Sequence, residues 1–242
     1  TTLLRTGMAL LGMTHTFIEE ATPAGRPLLV FCRHASLVDS LLPGAFLSWR
    51  HGTRLRYVLK RELLFDPCLD VVGQRIPNAF IDRDQGTGDA QAEAVQALAT
   101  DLGAGDGVLV FPEGTRFTQE KRSRALERLR SHDDPIRLAR AEALRHLLPV
   151  RSRGPVGLLE AGEGADILLM AHRGFEGGAS LGGILAGALI GRHVEIATWR
   201  VNAEDAPTTR ATRLAWLDAE WARMDQWLED RQAASASRGG LA

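Results

Sequence analysis

The chain has 242 residues, 45% hydrophobic and 24% charged, which is enough apolar material for one sizeable core and excludes disorder as the default. A formal charge of −1 conceals a basic segment from Arg116 to Arg153, with eleven Arg and Lys against five Asp and Glu, suited to phosphates or an anionic membrane. Cys32 and Cys68 lack CxxC spacing, which argues against a zinc site or disulfide scaffold and fits a reducing, cytoplasmic compartment.

No run reaches the roughly eighteen apolar residues of a membrane span. Arg5 and His15 interrupt the first segment and Arg192 closes the stretch from Ala179 to Ile190. Residues 1–25 read as a membrane-facing segment, with an interfacial helix and the remnant of an anchor both open. The chain opens on Thr1 without a basic-then-apolar leader, so a processed start and a preceding segment also both stay open.

Leu28 to Cys32 reads as a buried strand. Ser36 to Trp49 reads as a helix capped by Ser36 and kinked or broken at Pro43. Strands follow at Leu55 to Leu59 and Ala79 to Ile81, then a helix from Asp89 to Leu102 with Ala92, Val95, Leu98 and Leu102 on one face. Gly103 and Gly105 end that helix, and Val108 to Phe111 is the next strand. Beyond the basic segment lie strands at Ile167 to His172 and Val194 to Val201. A helix from about Thr208 to Asp230 carries Leu217, Trp221, Met224 and Leu228 as core packing, and residues 233–242 read as a frayed tail. Short apolar runs alternating with amphipathic stretches predict an α/β fold, one domain over 1–242 with a mixed central sheet covered by helices.

Two constellations carry chemistry. In Arg33-His34-Ala35-Ser36-Leu37-Val38-Asp39, a histidine on a strand-to-helix turn precedes an aspartate in the first helical turn. The carboxylate can accept the Nδ1 proton and fix the tautomer, leaving Nε2 to take a proton from a hydroxyl. A capping aspartate explains this spacing equally well, so a second motif has to decide. Phe111-Pro112-Glu113-Gly114-Thr115-Arg116 supplies it at the end of an apolar strand, where Gly114 admits a ligand to the backbone and Arg116 can fork onto phosphate. The plainer reading of that run is a tight turn with a surface arginine.

Together the motifs resemble the hallmark pair NHxSxxD and FPEGTR of the glycerophosphate and lysophosphatidate acyltransferase superfamily. Val58-Leu59-Lys60-Arg61-Glu62-Leu63, Pro67 and Phe80-Ile81-Asp82-Arg83 are similar to the family's second block. Residues 116–121, 146–154, 173–174 and 180–185 resemble the long-chain lysophospholipid and lysophosphatidate branch, so the likeness covers most of residues 28–200. Arg33 stands where the family usually has asparagine, and Val150 lengthens the usual Leu-Pro-Arg of the fourth block.

The resemblance implies direct transfer of a fatty acyl group from acyl-CoA or acyl carrier protein to the hydroxyl of lysophosphatidate or a related lysophospholipid, in phospholipid synthesis or remodelling. His34 and Asp39 would be catalytic. Arg83, Glu113, Gly114, Thr115, Arg116 and Lys60 would form the acceptor and phosphate site, with Ser36 and either Arg151 or Arg153 positioning. No cofactor and no metal is implied; the partners are the two substrates and a membrane surface, at the cytoplasmic face, peripheral or through an anchor outside this chain. Backbone N–H groups after His34 are the candidate oxyanion donors.

His15, His51, His132, His146, His172 and His193 have no carboxylate at motif spacing and read as surface or structural. The basic stretch from Lys121 to Arg145 is either a solvated helical face or a bilayer-facing one; too few aromatics interleave with its arginines for nucleic acid. Two other functions compete. One is an acyl-thioester hydrolase with Cys32 or Ser36 as nucleophile; the other is a non-catalytic lipid-binding protein of the same fold.

Overall fold

The computed structural model describes residues 2–18, 25–60, 78–81, 88–132 and 134–239. Its strands are β1 (Thr14–Ile18), β2 (Leu28–Cys32), β3 (Arg54–Lys60), β4 (Ala79–Ile81), β5 (Asp106–Val110), β6 (Asp166–Arg173) and β7 (His193–Val201). They form a seven-stranded mixed sheet in the order β1-β7-β6-β2-β5-β3-β4. β2, β3, β4, β5 and β6 run parallel, β7 is antiparallel to β6, and β1 is parallel to β7. The fold is α/β, with helices α1 (Thr2–Leu10), α2 (Gly88–Ala97), α3 (Gln119–Arg130), α4 (Pro135–Ala143), α5 (Arg153–Ala161), α6 (Leu181–Leu185) and α7 (Arg210–Gly239).

β2 is apolar at every position, so neither face can be left to water, and it occupies the buried centre of the sheet. The period-2 alternation of strand side chains then divides the core. Leu29 and Phe31, with Val108, Val110, Ile167 and Leu169, face Val95 and Leu98, Leu158 of α5, and Leu217, Trp221, Met224 and Leu228 of α7. Leu28, Val30 and Cys32, with Leu109, Leu168 and Met170, face Leu42, Phe46 and Leu47 on one side chain layer and Phe175 and Leu189 beside it.

Four expectations need correction. Residues 36–49 are not one helix capped by Ser36: a 3-10 turn, Asp39–Leu41, leads into a π-type turn, Gly44–Ser48, whose N-cap is Pro43. Asp39 uses its carboxylate to bind the Ala35 and Ser36 N–H groups, so local side-chain bonding displaces a regular helical start. Within the N-terminal segment, Thr14–Ile18 is an edge strand registered on β7 rather than helix. Arg153–Ala161 forms a helix where the sequence reading placed no element. The final helix continues to Gly239 instead of fraying after Ala233, with Arg173 on β6 donating to the Arg231 carbonyl and to Ser235 Oγ at 2.8 and 2.9 Å.

Candidate active site

Sheet register decides which residues meet. Phe31 pairs with Val110 and Cys32 with Met170, so carrying the ladders past the strand ends brings residue 34 beside residues 113 and 172. These are C-terminal ends of parallel strands, where an open α/β sheet leaves its crevice. The His34 turn is clamped at both backbone ends: its N–H donates to Glu113 Oε1, and its carbonyl accepts from the Phe117 N–H, both at 2.9 Å. Its ring stacks on Phe111, with centroids 4.3 Å apart and planes at 27°.

His34 Nδ1 lies 2.9 Å from Asp39 Oδ1, and the Asp39 Oδ2 accepts from Ala35 N and Ser36 N at 2.6 Å each. Asp39 is 0% exposed. Burial alone would raise its carboxyl, but bonding from His172 and His34 outweighs it and holds Asp39 below the ordinary carboxylate range. An ionised Asp39 requires the proton of the neutral His34 on Nδ1, which leaves Nε2 with its lone pair. His34 is 17% exposed, and among the described residues Nε2 has no partner. The arrangement can take a proton from a hydroxyl brought to Nε2 and stabilise the imidazolium that results.

Glu113, expected in the acceptor site, is 3% exposed; Oε1 accepts from His34 N and Oε2 from Leu148 N, both at 2.9 Å, so the side chain braces two loops. Burial, only partly offset by those two bonds, pushes its carboxyl up to about 8. The backbone N–H groups proposed as oxyanion donors are also occupied: Ala35 and Ser36 bind Asp39, Leu37 donates to Gly178 O at 2.9 Å, and Val38 to Ser36 Oγ at 3.2 Å.

Gly114 adopts φ +68°, in the left-handed region, and a Cβ there would collide with the Arg151 side chain. Between the two candidates in the fourth block, Arg151 is therefore the one against the Phe111–Arg116 turn, and its N–H also donates to Pro112 O at 2.9 Å. Arg153 pairs instead with Asp89 at 2.6 Å, both side chains being exposed. Arg116 carries a buried Nη1 with no hydrogen-bond partner among the described residues, while its carbonyl accepts from Lys121 Nζ at 3.1 Å. Thr115, Lys121, Arg124, Arg128, Arg151 and Arg153 are among the residues lining an adjoining cleft of about 1140 Å³, which Phe111 also lines. Lys60 closes β3; Arg83 and Cys68 lie outside the described residues.

Arg33, in the place of the asparagine, turns inward at 3% exposure and donates through Nη1 to the His172 carbonyl and, at 2.6 Å, to Glu176 Oε1. Neither alternative nucleophile is available. Cys32 is 0% exposed with its thiol pushed up by burial, and the 0% exposed Ser36 donates its hydroxyl to Gly178 O at 2.9 Å. Two histidines read as lacking a carboxylate partner do have one across the fold: His146 Nε2 lies 2.8 Å from Glu229 Oε2, and His172 Nε2 lies 3.4 Å from Asp39 Oδ2. Spacing along the chain carries no signal for either pair.

A histidine–aspartate pair at the C-terminal strand ends of an α/β sheet, beside an arginine-lined cleft, is an arrangement able to activate a hydroxyl. The Acyltransferase family model matches residues 15–153, more than half of the chain, and the protein belongs to that family. It is an acyltransferase, with a lipid acceptor and an acyl donor as its substrates in general terms. No curated protein and no solved structure matches the chain. Among the described residues no helix is long and apolar enough to cross a membrane.

Proposed function

We propose that the protein transfers a fatty acyl group from an acyl thioester, on coenzyme A or an acyl carrier protein, to the hydroxyl of lysophosphatidate or a related lysophospholipid. The observation that carries the reading is the open Nε2 of His34, with Nδ1 fixed on a buried Asp39 and the ring stacked on Phe111, which lines the basic cleft. The acceptor hydroxyl sits at Nε2 and its phosphate meets Arg116, whose buried Nη1 lacks a protein partner among the described residues. Lys60 and Arg83 complete the phosphate site. Thr115 and Arg151 shape the turn beside it.

The hydroxyl oxygen attacks the thioester carbonyl as its proton passes to Nε2; the tetrahedral intermediate then expels the thiolate, which takes a proton from the imidazolium. No covalent acyl-enzyme is needed. Alignment of two bound substrates supplies much of the acceleration, because it replaces an encounter in solution by a reaction within one complex. The basic segment and the absence of a spanning helix among the described residues favour a peripheral position at the cytoplasmic face of a membrane.

The test is thiol release from a long-chain acyl-CoA, with and without lysophosphatidate in detergent micelles, following the lipid product by mass. Release is expected to require acceptor, to yield a diacyl product, and to fall by at least about a hundredfold in His34→Ala with the circular dichroism unchanged. Release to water without acceptor, or a wild-type rate in folded His34→Ala, is incompatible with the reading.

A further inference from the structure

Two histidines reach the Asp39 carboxylate from different elements. His34 approaches Oδ1 from the turn after β2; His172, on β6, brings Nε2 to 3.4 Å from Oδ2. The same Nε2 lies 3.0 Å from the Arg33 carbonyl. A carbonyl only accepts, so Nε2 of His172 carries the proton. Its Nδ1 is buried with no hydrogen-bond partner among the described residues, and a second proton there would be a donor with nothing to accept it. Nε2 is therefore the ring atom that donates. His172 is 0% exposed and meets Phe175 in a T-shaped contact, ring centroids 5.4 Å apart, so it touches no substrate.

We propose that His172 is a positioning residue for the His34–Asp39 pair, its one N–H holding the Arg33 carbonyl just before His34 and turning its positive end toward Asp39 Oδ2. The proposal rests on His34 acting as the base. Oδ2 takes the Ala35 and Ser36 N–H groups and faces His172 Nε2, which leaves Oδ1 to His34. Without the His172 N–H, two things follow. Among the described residues the Arg33 carbonyl then keeps only the weak Cys32 thiol donor, and the turn carrying His34 loosens. The buried carboxylate also becomes less compensated and binds the imidazolium form of His34 more tightly. Among the described residues, the other ionisable groups around the pair are Arg33, Glu113 and Cys32, with Glu176 behind Arg33. All of them stay in place in the variants below.

The experiment compares wild type, His172→Phe, His172→Gln and His34→Ala by kcat, by KM for long-chain acyl-CoA and lysophosphatidate, and by the pH profile of kcat. His172→Phe fills the site without a donor: kcat is expected to fall roughly tenfold with both KM values within about twofold, and the acidic limb to move to higher pH. His172→Gln, with an amide N–H at the ε position, is expected to recover most of the loss and return the limb. A folded Phe variant with the wild-type kcat and limb overturns the proposal, as does a Gln variant no better than Phe. Should the Phe variant not fold, 15N-imidazole spectra of wild type and Asp39→Asn decide: the His172 Nε2 signal moves if the contact is real, and an unmoved signal overturns it. Activity surviving in His34→Ala would instead refute the base assignment itself.

Discussion

The strand-end cluster around His34 and the basic helices α3 and α4 both carry many charges, yet they handle them differently. In the cluster, Asp39 and Glu113 are 0% and 3% exposed, and every carboxylate oxygen meets a donor fixed by the fold, mostly backbone N–H. On the helices the pairs, such as Arg124 with Glu120 and Arg130 with Glu142, join long exposed side chains. Backbone donors cannot rotate away, so they hold reaction geometry. Exposed arginines are screened by salt and re-form around whatever anion arrives, which suits a lipid headgroup more than a transition state.

The sharpest break of that contrast is Asp39→Asn. An amide must turn its NH₂ either toward His34 Nδ1–H or toward the Ala35 and Ser36 N–H groups, so donors face donors and His34 loses the partner that fixes its tautomer. A loss of kcat of about a thousandfold or more is expected, with roughly 1–3 kcal/mol lost in urea unfolding. The pH dependence carries a sign. The folded-state carboxyl lies below its ordinary 3.8, so its contribution is present above pH 3.8 and is lost as pH falls through the folded value. The variant should lack that acid-side loss.

Glu113→Gln comes next and has the opposite sign. Gln offers one acceptor oxygen where two backbone N–H groups, of His34 and Leu148, each need one. The expected cost is about 1–3 kcal/mol of stability, with a kcat loss on the order of tenfold as the His34 turn loosens. Because burial raises the wild-type carboxyl from 4.5 to about 8, its contribution is full below pH 4.5 and declines as pH rises through about 8. Urea midpoints across that window should fall with pH in wild type and much less in Glu113→Gln. A flat wild-type curve would break the claim that burial dominates at this carboxylate.

The same division explains what the sequence made legible. β2, β5 and β6 are buried on both faces and read as continuous apolar runs, so their ends, and with them His34 and Phe111–Arg116, fell where expected. The His34–Asp39 contact was readable because both residues belong to one short motif. The Glu113 brace and the His172 contact were not, since both depend on register between strands far apart in the chain. β1 was hidden by exposure: Thr14–Ile18 is a largely solvent-facing edge whose polar and apolar residues give no clean alternation. Arg153–Ala161 carries Gly154 and Gly157, which weaken its propensity, and the burial of Val156, Leu158 and Leu159 decides the matter.

Arg116→Ala tests the border between the two regions. Its Nη1 is buried like the cluster, yet it lacks a protein partner among the described residues like a group awaiting an anion. Removing it should raise the KM for lysophosphatidate about tenfold, with kcat and the acyl-CoA KM changing by less than about threefold. A rise confined to the acyl-CoA KM would move Arg116 to the donor's phosphates.

The smallest effect belongs to the helices themselves. Arg124 pairs with Glu120 one helical turn away, and both side chains are about 70% exposed, at 67% and 71%. Such a pair contributes roughly 0.5 kcal/mol or less. Arg124→Ala should therefore leave the urea midpoint within error and change kcat by less than about twofold, because no contact in the His34 cluster depends on it. What it should change is the salt dependence of binding to vesicles containing anionic lipid, since Arg124 also lines the basic cleft and each lost cation removes part of the attraction. If that dependence is unchanged while kcat drops, Arg124 belongs with the rigid cluster, and the line drawn here between fixed geometry and adaptable charge is in the wrong place.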